Sequence, residues 1–107
     1  MPNLVYFRIL MAVSGAQHTY QSSEIANVPE EPGAYELLSG STTIYFGWTD
    51  VPGLRTKIRE HYSGKHGSCT QIATAFRFET HSEPEDRCQK LIAEHKKQHG
   101  TVPRCNL

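Results

Sequence analysis

Two neighbouring stretches near the middle of the chain, residues 33–38 and 42–48, are rich in apolar residues, and the second is rich in β-branched and aromatic ones. Short stretches of this kind are typical of β-strands, in which every second side chain lies on the same face. A Ser-Gly-Ser segment between the two stretches favours a tight turn. The pattern therefore predicts an antiparallel hairpin, with Tyr35 and Leu37 on the same face of its first strand.

Two later segments have the periodicity of a helix. A third segment, between them, has the periodicity of a strand. Apolar residues recur every four positions in residues 54–62, which predicts an amphipathic helix. Residues 82–99 predict a second helix, with Ser82 as N-cap, an early proline, acidic residues in the first turn and Gly100 beyond its end. Residues 76–79 alternate and predict a third strand.

The two ends of the chain give weaker patterns. The apolar run 4–13 is compatible with a strand or a short buried helix, because periodicity does not separate the two at this length. Residues 22–25 offer the cap chemistry for one helical turn. Two prolines exclude a regular helix from residues 28–32, and residues 102–106 are predicted to be an extended tail.

The resulting order is strand, strand, helix, strand, helix. It predicts a small α/β or α+β layer fold, with a mixed, mostly antiparallel three-stranded sheet flanked by helices. The chain has 107 residues, enough for one domain with one modest core. We expect a single domain over residues 1–107, in which residues 1–27 form an N-terminal extension that packs on a core of residues 28–106.

The charge balance of the chain narrows the classes of function. Eleven basic and eleven acidic residues give a formal net charge of zero, whereas a nucleic-acid-binding domain often has a basic excess. A phosphate-binding surface must therefore arise from the placement of charges. No apolar run approaches the ~20 residues of a transmembrane helix, so we expect no membrane partner.

The cysteines and the N-terminus predict a location in the cell. Three cysteines are an odd number, they include no Cys-x-x-Cys motif, and the N-terminal residues do not have the pattern of a signal peptide. Reduced thiols in a cytoplasmic protein are the simplest interpretation. We expect Cys69, Cys88 and Cys105 to be small buried side chains.

Two tripeptides in the predicted hairpin carry the strongest chemical signal. Gly33-Ala34-Tyr35 and Tyr45-Phe46-Gly47 each place a tyrosine near a glycine, on neighbouring strands. Two adjacent phenols could bind a phosphate or activate a water molecule. They could equally be a cross-strand packing pair, and Gly47 could serve only close packing or a bulge. We expect Trp48 to be a core or rim aromatic residue rather than a platform for base stacking.

With these tripeptides in this order, the chain resembles the GIY-YIG nuclease domain. Leu54, Lys57 and His61 follow the second tripeptide at positions similar to a leucine, a basic residue and a histidine of that family. Residues 69–79 and the C-terminal residues are also similar to one branch of small proteins in the family. The resemblance covers roughly residues 28–106, and it implies a GIY-YIG endonuclease-like fold that acts on DNA by phosphodiester hydrolysis.

The resemblance implies a role for each matching residue. Tyr35 and Tyr45 correspond to the paired phenols that help to activate water, and His61 corresponds to a histidine that assists proton transfer. Lys57 stands where the family usually has an arginine that stabilises charge on the phosphate, and it lacks the planar fork of an arginine. The implied substrate-binding residues are Asn106, at the terminal polar position, with Arg55 and Arg59 as basic residues that could replace the arginine.

A second departure from the family concerns its divalent metal. The metal-binding glutamate of the family corresponds here to Cys88, and Mg²⁺ or Mn²⁺ prefers oxygen ligands. Glu85, one helical turn earlier, could supply a carboxylate instead, or Cys88 could hold a softer metal with His61. A separate pair, His95 and His99, has the i, i+4 spacing of helical metal ligands.

Three functions follow from these observations. The chain could be a Mg²⁺- or Mn²⁺-dependent DNA endonuclease with an altered site, or a domain of the same fold that binds nucleic acid without cutting it. It could also use the same surface to bind a protein or a small ligand. Hydrolysis is expected to be weak or lost because of Cys88 and Lys57.

Overall fold

The structure, a computed structural model, describes residues 13–107. It is a small mixed α+β domain. The prediction for the apolar run 4–13 falls outside the described residues, except for Val13. The described elements are β1 (His18–Thr19), α1 (Ser22–Ile25), β2 (Gly33–Ser39), β3 (Thr42–Thr49), α2 (Leu54–Tyr62), α3 (Ser68–Gln71), β4 (Ala75–Thr80), α4 (Pro84–His99) and a 3₁₀ turn (Arg104–Asn106).

Within residues 13–107 the strands form one antiparallel four-stranded sheet in the order β1-β4-β2-β3. The predicted hairpin is confirmed, since β2 pairs with β3 in a register that sets Tyr35 opposite Gly47 and Leu37 opposite Tyr45. The prediction of three strands is wrong by one strand. The short strand β1 adds to the sheet because it pairs with the first residues of β4, a long-range contact that local alternation does not reveal.

Helices α2 and α4 form where the sequence predicts them, but their N-terminal caps differ from the prediction. Helix α2 covers the predicted residues, and its N-cap is Gly53 without a side-chain hydrogen bond. The carboxylate of Glu30 instead accepts a hydrogen bond from the backbone N–H of Thr56, at 2.9 Å. The predicted N-cap Ser82 is wrong, because Glu83 occupies that position in α4.

Two short elements were not predicted. Residues 68–71 form helix α3, between the predicted helix and the predicted third strand. Residues 104–106 form a 3₁₀ turn within the tail that was predicted to be extended. Both elements lie beside the candidate site described below. No helix among residues 13–107 has the length and apolar character needed to span a membrane.

Helices cover both faces of the sheet, so the domain has two apolar layers. On one face, α1 and α2 pack on the sheet through a cluster that includes Ile25, Leu37, Leu54, Ile58 and Phe76. On the other face, α4 packs on the sheet through a second cluster of Val13, Ala34, Phe46, Cys88 and Leu91, with Ile92 partly buried against it.

Candidate functional site

Tyr35 is at the centre of the site, and Gly47 makes the room for it. The side chain of Tyr35 is 1% exposed, and its ring lies across the position opposite it in β3. A Cβ atom on Gly47 would come within 2.3 Å of Cζ and 2.4 Å of Oη of Tyr35, far closer than two such atoms can approach. Gly47 therefore serves the placement of the tyrosine, rather than helix packing or a bulge.

The glycine of the first tripeptide also serves a close approach. A Cβ atom on Gly33 would meet the carbonyl oxygen of Glu79 at 2.1 Å and Cδ1 of Leu54 at 2.6 Å. Strand β4 and the first residue of α2 thus both lie against the backbone of Gly33. This close packing fixes the start of α2 relative to β2, and α2 carries His61 and Lys57 to the tyrosines.

Three aromatic rings meet at the site. The rings of Tyr35 and Tyr45 lie 6.1 Å apart between centroids, and the ring of His61 lies 5.5 Å from Tyr35 and 5.1 Å from Tyr45. Because β2 and β3 are paired in register, both phenols lie on the sheet face that α2 covers. The last turn of α2 places His61 above them.

A chain of hydrogen bonds connects these groups to helix α3. Oη of Tyr35 lies 2.7 Å from Nε2 of His61, and Nδ1 of His61 lies 2.8 Å from Oγ1 of Thr70. A neutral imidazole has one N–H, so the chain has two arrangements. Either the Tyr35 hydroxyl donates to Nε2 and Nδ1–H donates to Thr70, or the Thr70 hydroxyl donates to Nδ1 and Nε2–H donates to Tyr35. The two arrangements differ in the tautomer of the His61 imidazole.

Burial determines the protonation states in this chain. It lowers the pKa of His61 to about 4, with smaller contributions from His66 and Lys57, so the imidazole is neutral at pH 7. Burial also raises the pKa of Tyr35 and of Tyr45, although a hydrogen bond with Tyr35 acts to lower that of Tyr45. Both phenols are therefore protonated near neutral pH, and a protonated hydroxyl can donate a hydrogen bond.

The tyrosines and the histidine open into a cavity of about 300 Å³, here called the tyrosine cavity. Its lining includes all four residues that the resemblance assigned to catalysis, on three different elements. The sequence did not identify the remaining lining residues as part of the site. The lining consists of Tyr35, Tyr45, Trp48, Lys57, His61, His66, Cys69, Thr70 and Cys105.

Positive charge is concentrated beside this cavity although the whole chain is neutral. The carboxylate of Glu60 lies 3.6 Å from Nζ of Lys57, 3.3 Å from Nζ of Lys65 and 2.8 Å from Nε2 of His66. The hydrogen bond from His66 contributes most to lowering the pKa of Glu60 to about 2. Two lysines and a histidine thus share one carboxylate, which leaves a net positive group at the cavity.

A disulfide between Cys69 and Cys105 forms part of the cavity wall. The prediction of reduced thiols is therefore wrong for this pair. The prediction of buried side chains is also wrong, since Cys69 is exposed and Cys105 is half-buried. The two residues are 36 positions apart, and only the folded chain brings them together. Disulfides are rare in cytosolic proteins, so the argument from reduced thiols for a cytoplasmic location no longer holds.

The predicted substrate-binding residues lie outside the cavity. Arg55 is half-buried on α2, and Arg59 is exposed on the same helix. The side-chain amide of Asn106 pairs with the backbone of Phe46, where Oδ1 accepts from the N–H and Nδ2 donates to the carbonyl oxygen, each at 2.9 Å. Asn106 therefore fastens the C-terminal turn to the edge of β3 and supports the site indirectly.

The predicted metal position lacks suitable ligands. Cys88 is 2% exposed in the apolar layer under α4, and burial raises the pKa of its thiol to about 11, so it is protonated at pH 7. Glu85 is exposed in the first turn of α4. Among residues 13–107, no group of three or more His, Cys, Asp or Glu side chains is placed to hold a metal ion. A protonated thiol does not fit Mg²⁺ or Mn²⁺.

A scan against protein-family models finds no matching family, and a search of the curated proteins finds no match. Neither comparison adds to the resemblance described above. The likeness to the GIY-YIG domain stays a prediction that rests on the residues themselves.

Proposed function

We propose that the protein binds a phosphodiester group of nucleic acid in the tyrosine cavity, as a GIY-YIG-type domain whose hydrolytic activity is weak or lost. One observation carries the proposal. Tyr35, Tyr45, Lys57 and His61, which the resemblance assigned to one site, line one cavity in the folded chain. They come from positions up to 26 residues apart, so their convergence is independent of the motif spacing that suggested them.

The chemistry of the cavity suits an anionic ligand. Lys57 is the cation in its wall, and its ammonium group is only partly compensated by Glu60 because Lys65 and His66 share that carboxylate. A half-buried charge is less screened by salt than an exposed one. Protonated phenols can donate hydrogen bonds to phosphate oxygens. Lys57 would bind one phosphate oxygen, and Tyr45 would donate to another.

The other groups orient the phenols. Tyr35 is held by its hydrogen bond to His61, which Thr70 holds from its other nitrogen. These bonds would fix the orientation of the Tyr35 ring, beside which the Tyr45 ring lies.

The same groups argue against efficient hydrolysis. Lysine provides a single point of charge, whereas the fork of an arginine can bind two phosphate oxygens at once. The carboxylate that would hold a divalent cation is replaced by the buried thiol of Cys88. Without a metal or an arginine, charge that develops on the phosphate in the transition state has one stabilising cation. Binding therefore has more support than cutting.

Binding is tested with fluorescent single-stranded and duplex DNA, followed by anisotropy at several salt concentrations. Lys57→Ala is expected to weaken binding by about ten-fold, the loss of one charged hydrogen bond, and to reduce the slope of log affinity against log salt by about one. Arg59→Ala is the matched control, since it removes a cation from the same helix outside the cavity. Equal effects of the two substitutions would contradict a phosphate site at Lys57.

Cleavage is tested in parallel with supercoiled and branched DNA in the presence of Mg²⁺ or Mn²⁺. We expect the wild-type protein to cut slowly or not at all, and Tyr35→Phe to remove any cutting that is present. Rapid wild-type cleavage abolished by Glu85→Ala would show instead an active nuclease that uses Glu85. Absence of binding to every nucleic acid would favour a protein or small ligand as the occupant of the cavity.

A further inference from the structure

A second cavity lies at the opposite end of β3. It has a volume of about 510 Å³, larger than the tyrosine cavity, and none of the residues that the resemblance assigned to the nuclease site lines it. Its wall combines the beginning of β3, the end of α4 and the C-terminal segment. We call it the arginine cavity, after Arg104, and its other polar lining residues include Ser41, Thr42, His95, His99 and Thr101.

The charged side chain in this wall is basic. Arg104 makes no ion pair with an acidic side chain of residues 13–107, in contrast to Lys57 and Arg77, and no aspartate or glutamate side chain lines the cavity. An arginine is always protonated near neutral pH. In a chain with equal numbers of acidic and basic residues, an uncompensated arginine at a cavity is a feature that an anionic ligand would use.

The histidines provide additional hydrogen-bonding groups. Nδ1 of His95 lies 3.1 Å from the carbonyl oxygen of Thr101 and must donate to it, which leaves Nε2 free. The ring of His99 lies 4.3 Å from that of His95 between centroids. A nucleotide has a phosphate for Arg104, and its sugar and base have groups that can bond to such side chains.

The two cavities adjoin through the C-terminal turn. Arg104 lines the arginine cavity, and the next residue, Cys105, lines the tyrosine cavity. The two cavities are also neighbours along β3, where Thr42 lines the arginine cavity and Tyr45 lines the tyrosine cavity. Three residues of a strand span roughly 10 Å, which is about the rise of three nucleotides along one strand of B-DNA.

We propose that the arginine cavity is a second phosphate site for the same nucleic-acid strand, which passes over the Arg104–Asn106 turn from the tyrosine cavity. The proposal rests on the proposed function, and it specifies a ligand of several nucleotides rather than a single nucleotide. Arg104 binds a phosphate that lies a few nucleotides from the one at Lys57. The hydroxyls of Ser41 and Thr42 donate to the same phosphate or to its sugar.

The test compares a mononucleotide with an eight-nucleotide single strand, by calorimetry and by anisotropy respectively. Arg104→Ala is expected to weaken binding of the eight-nucleotide strand by about ten-fold, the loss of one charged hydrogen bond, and to leave mononucleotide binding unchanged. Lys57→Ala is expected to weaken both. Arg104→Lys, which retains the charge, is expected to restore part of the loss, and this separates loss of charge from disturbance of the turn.

Lys97→Ala is the control, because this exposed lysine of α4 does not line the cavity. If Arg104→Ala has no larger effect than Lys97→Ala while Lys57→Ala weakens binding, the second site is wrong and the proposed function stands. If neither ligand binds the wild-type protein, both proposals are wrong. Equal weakening of mononucleotide and strand by Arg104→Ala would also overturn the second site, since it would place Arg104 at the first phosphate.

Discussion

At the scale of single residues, His61 connects the sequence motifs to the chemistry of the site. It is 3% exposed, contacts both tyrosines, and uses both ring nitrogens in hydrogen bonds to Tyr35 and Thr70. Its neutrality at pH 7 follows from burial, which disfavours the imidazolium form. The histidine therefore holds the phenols in place, at the cost of stability in acid.

The pH dependence of stability tests this role of His61. The pKa is about 4 in the folded chain and near 6.5 for an ordinary histidine, so between these values the unfolded chain binds the proton more readily. The contribution of neutral His61 to the free energy of unfolding is complete above pH 6.5 and is lost as the pH falls toward 4. Its total is up to about 3 kcal/mol. Urea denaturation at pH 7.5, 6, 5 and 4.5 measures it.

Two variants separate His61 from the carboxylates that also titrate in acid. His61→Gln, although less stable at pH 7.5, is expected to lose less stability between pH 7.5 and 4.5 than the wild-type protein. His99→Gln, at an exposed position of α4, is expected to retain the wild-type dependence. A wild-type slope in His61→Gln would show that His61 is not the group responsible.

At the scale of elements, the disulfide holds together two short elements that complete the site. Cys69 is in α3, next to Thr70, which bonds to His61. Cys105 is in the C-terminal turn, next to Asn106, which bonds to the backbone of β3. Elements of three or four residues have little stability by themselves, so the bond between them helps to position both.

Reduction of this disulfide is expected to lower both stability and nucleic-acid affinity. Closing a loop of this length contributes roughly 2–4 kcal/mol, and release of α3 and the turn loosens Thr70 and Asn106. The measurements are urea denaturation and anisotropy with and without dithiothreitol, with thiol titration of the unfolded chain expected to find one free thiol before reduction and three after it.

Matched substitutions identify the disulfide as the cause of that response. Cys69→Ser with Cys105→Ser is expected to behave like the reduced protein and not to respond to dithiothreitol. Cys88→Ala, which removes the free buried thiol, is expected to keep the response. If three thiols titrate in the oxidised wild-type protein, the bond is absent in solution.

At the scale of the whole molecule, one sheet separates two apolar layers, and both must form for the site to exist. The layer under α2 holds His61 and Lys57 over the tyrosines, and the layer under α4 fixes the opposite face of β3. Ile58 and Leu91 are buried in the two layers. Because both layers pack on the same strands, we expect the domain to unfold as one unit.

Truncation in either layer tests this expectation. Ile58→Ala and Leu91→Ala are each expected to lower the free energy of unfolding by about 2–5 kcal/mol, from lost burial and the resulting cavity. Ile72→Ala, at a position that is half exposed, is expected to change it by less than about 0.5 kcal/mol. The fluorescence of Trp48 and far-ultraviolet circular dichroism should give coincident transitions, and separate transitions would show that the layers unfold independently.

Most of the secondary structure and part of the site were predictable from the sequence. The hairpin, α2, β4 and α4 follow from local composition and periodicity and from the positions of glycine and proline, because these patterns are properties of single elements. Tyr35, Tyr45, Lys57 and His61 were found through the motifs. The wrong predictions are Ser82 as the N-cap of α4, the number of strands, and the reduced state of Cys69 and Cys105. The fourth strand and the disulfide depend on contacts between distant segments, which a linear spacing does not show.

What the sequence by itself determined is the order of the elements and the identity of the central residues, since both are properties of short segments. Only the tertiary structure decided what surrounds them. It joined Cys69 to Cys105, set Thr70 beneath His61, buried Cys88 in an apolar layer and opened a second cavity at Arg104. Each of these depends on the docking of segments distant in the chain, and such contacts leave no periodic signal in a single sequence.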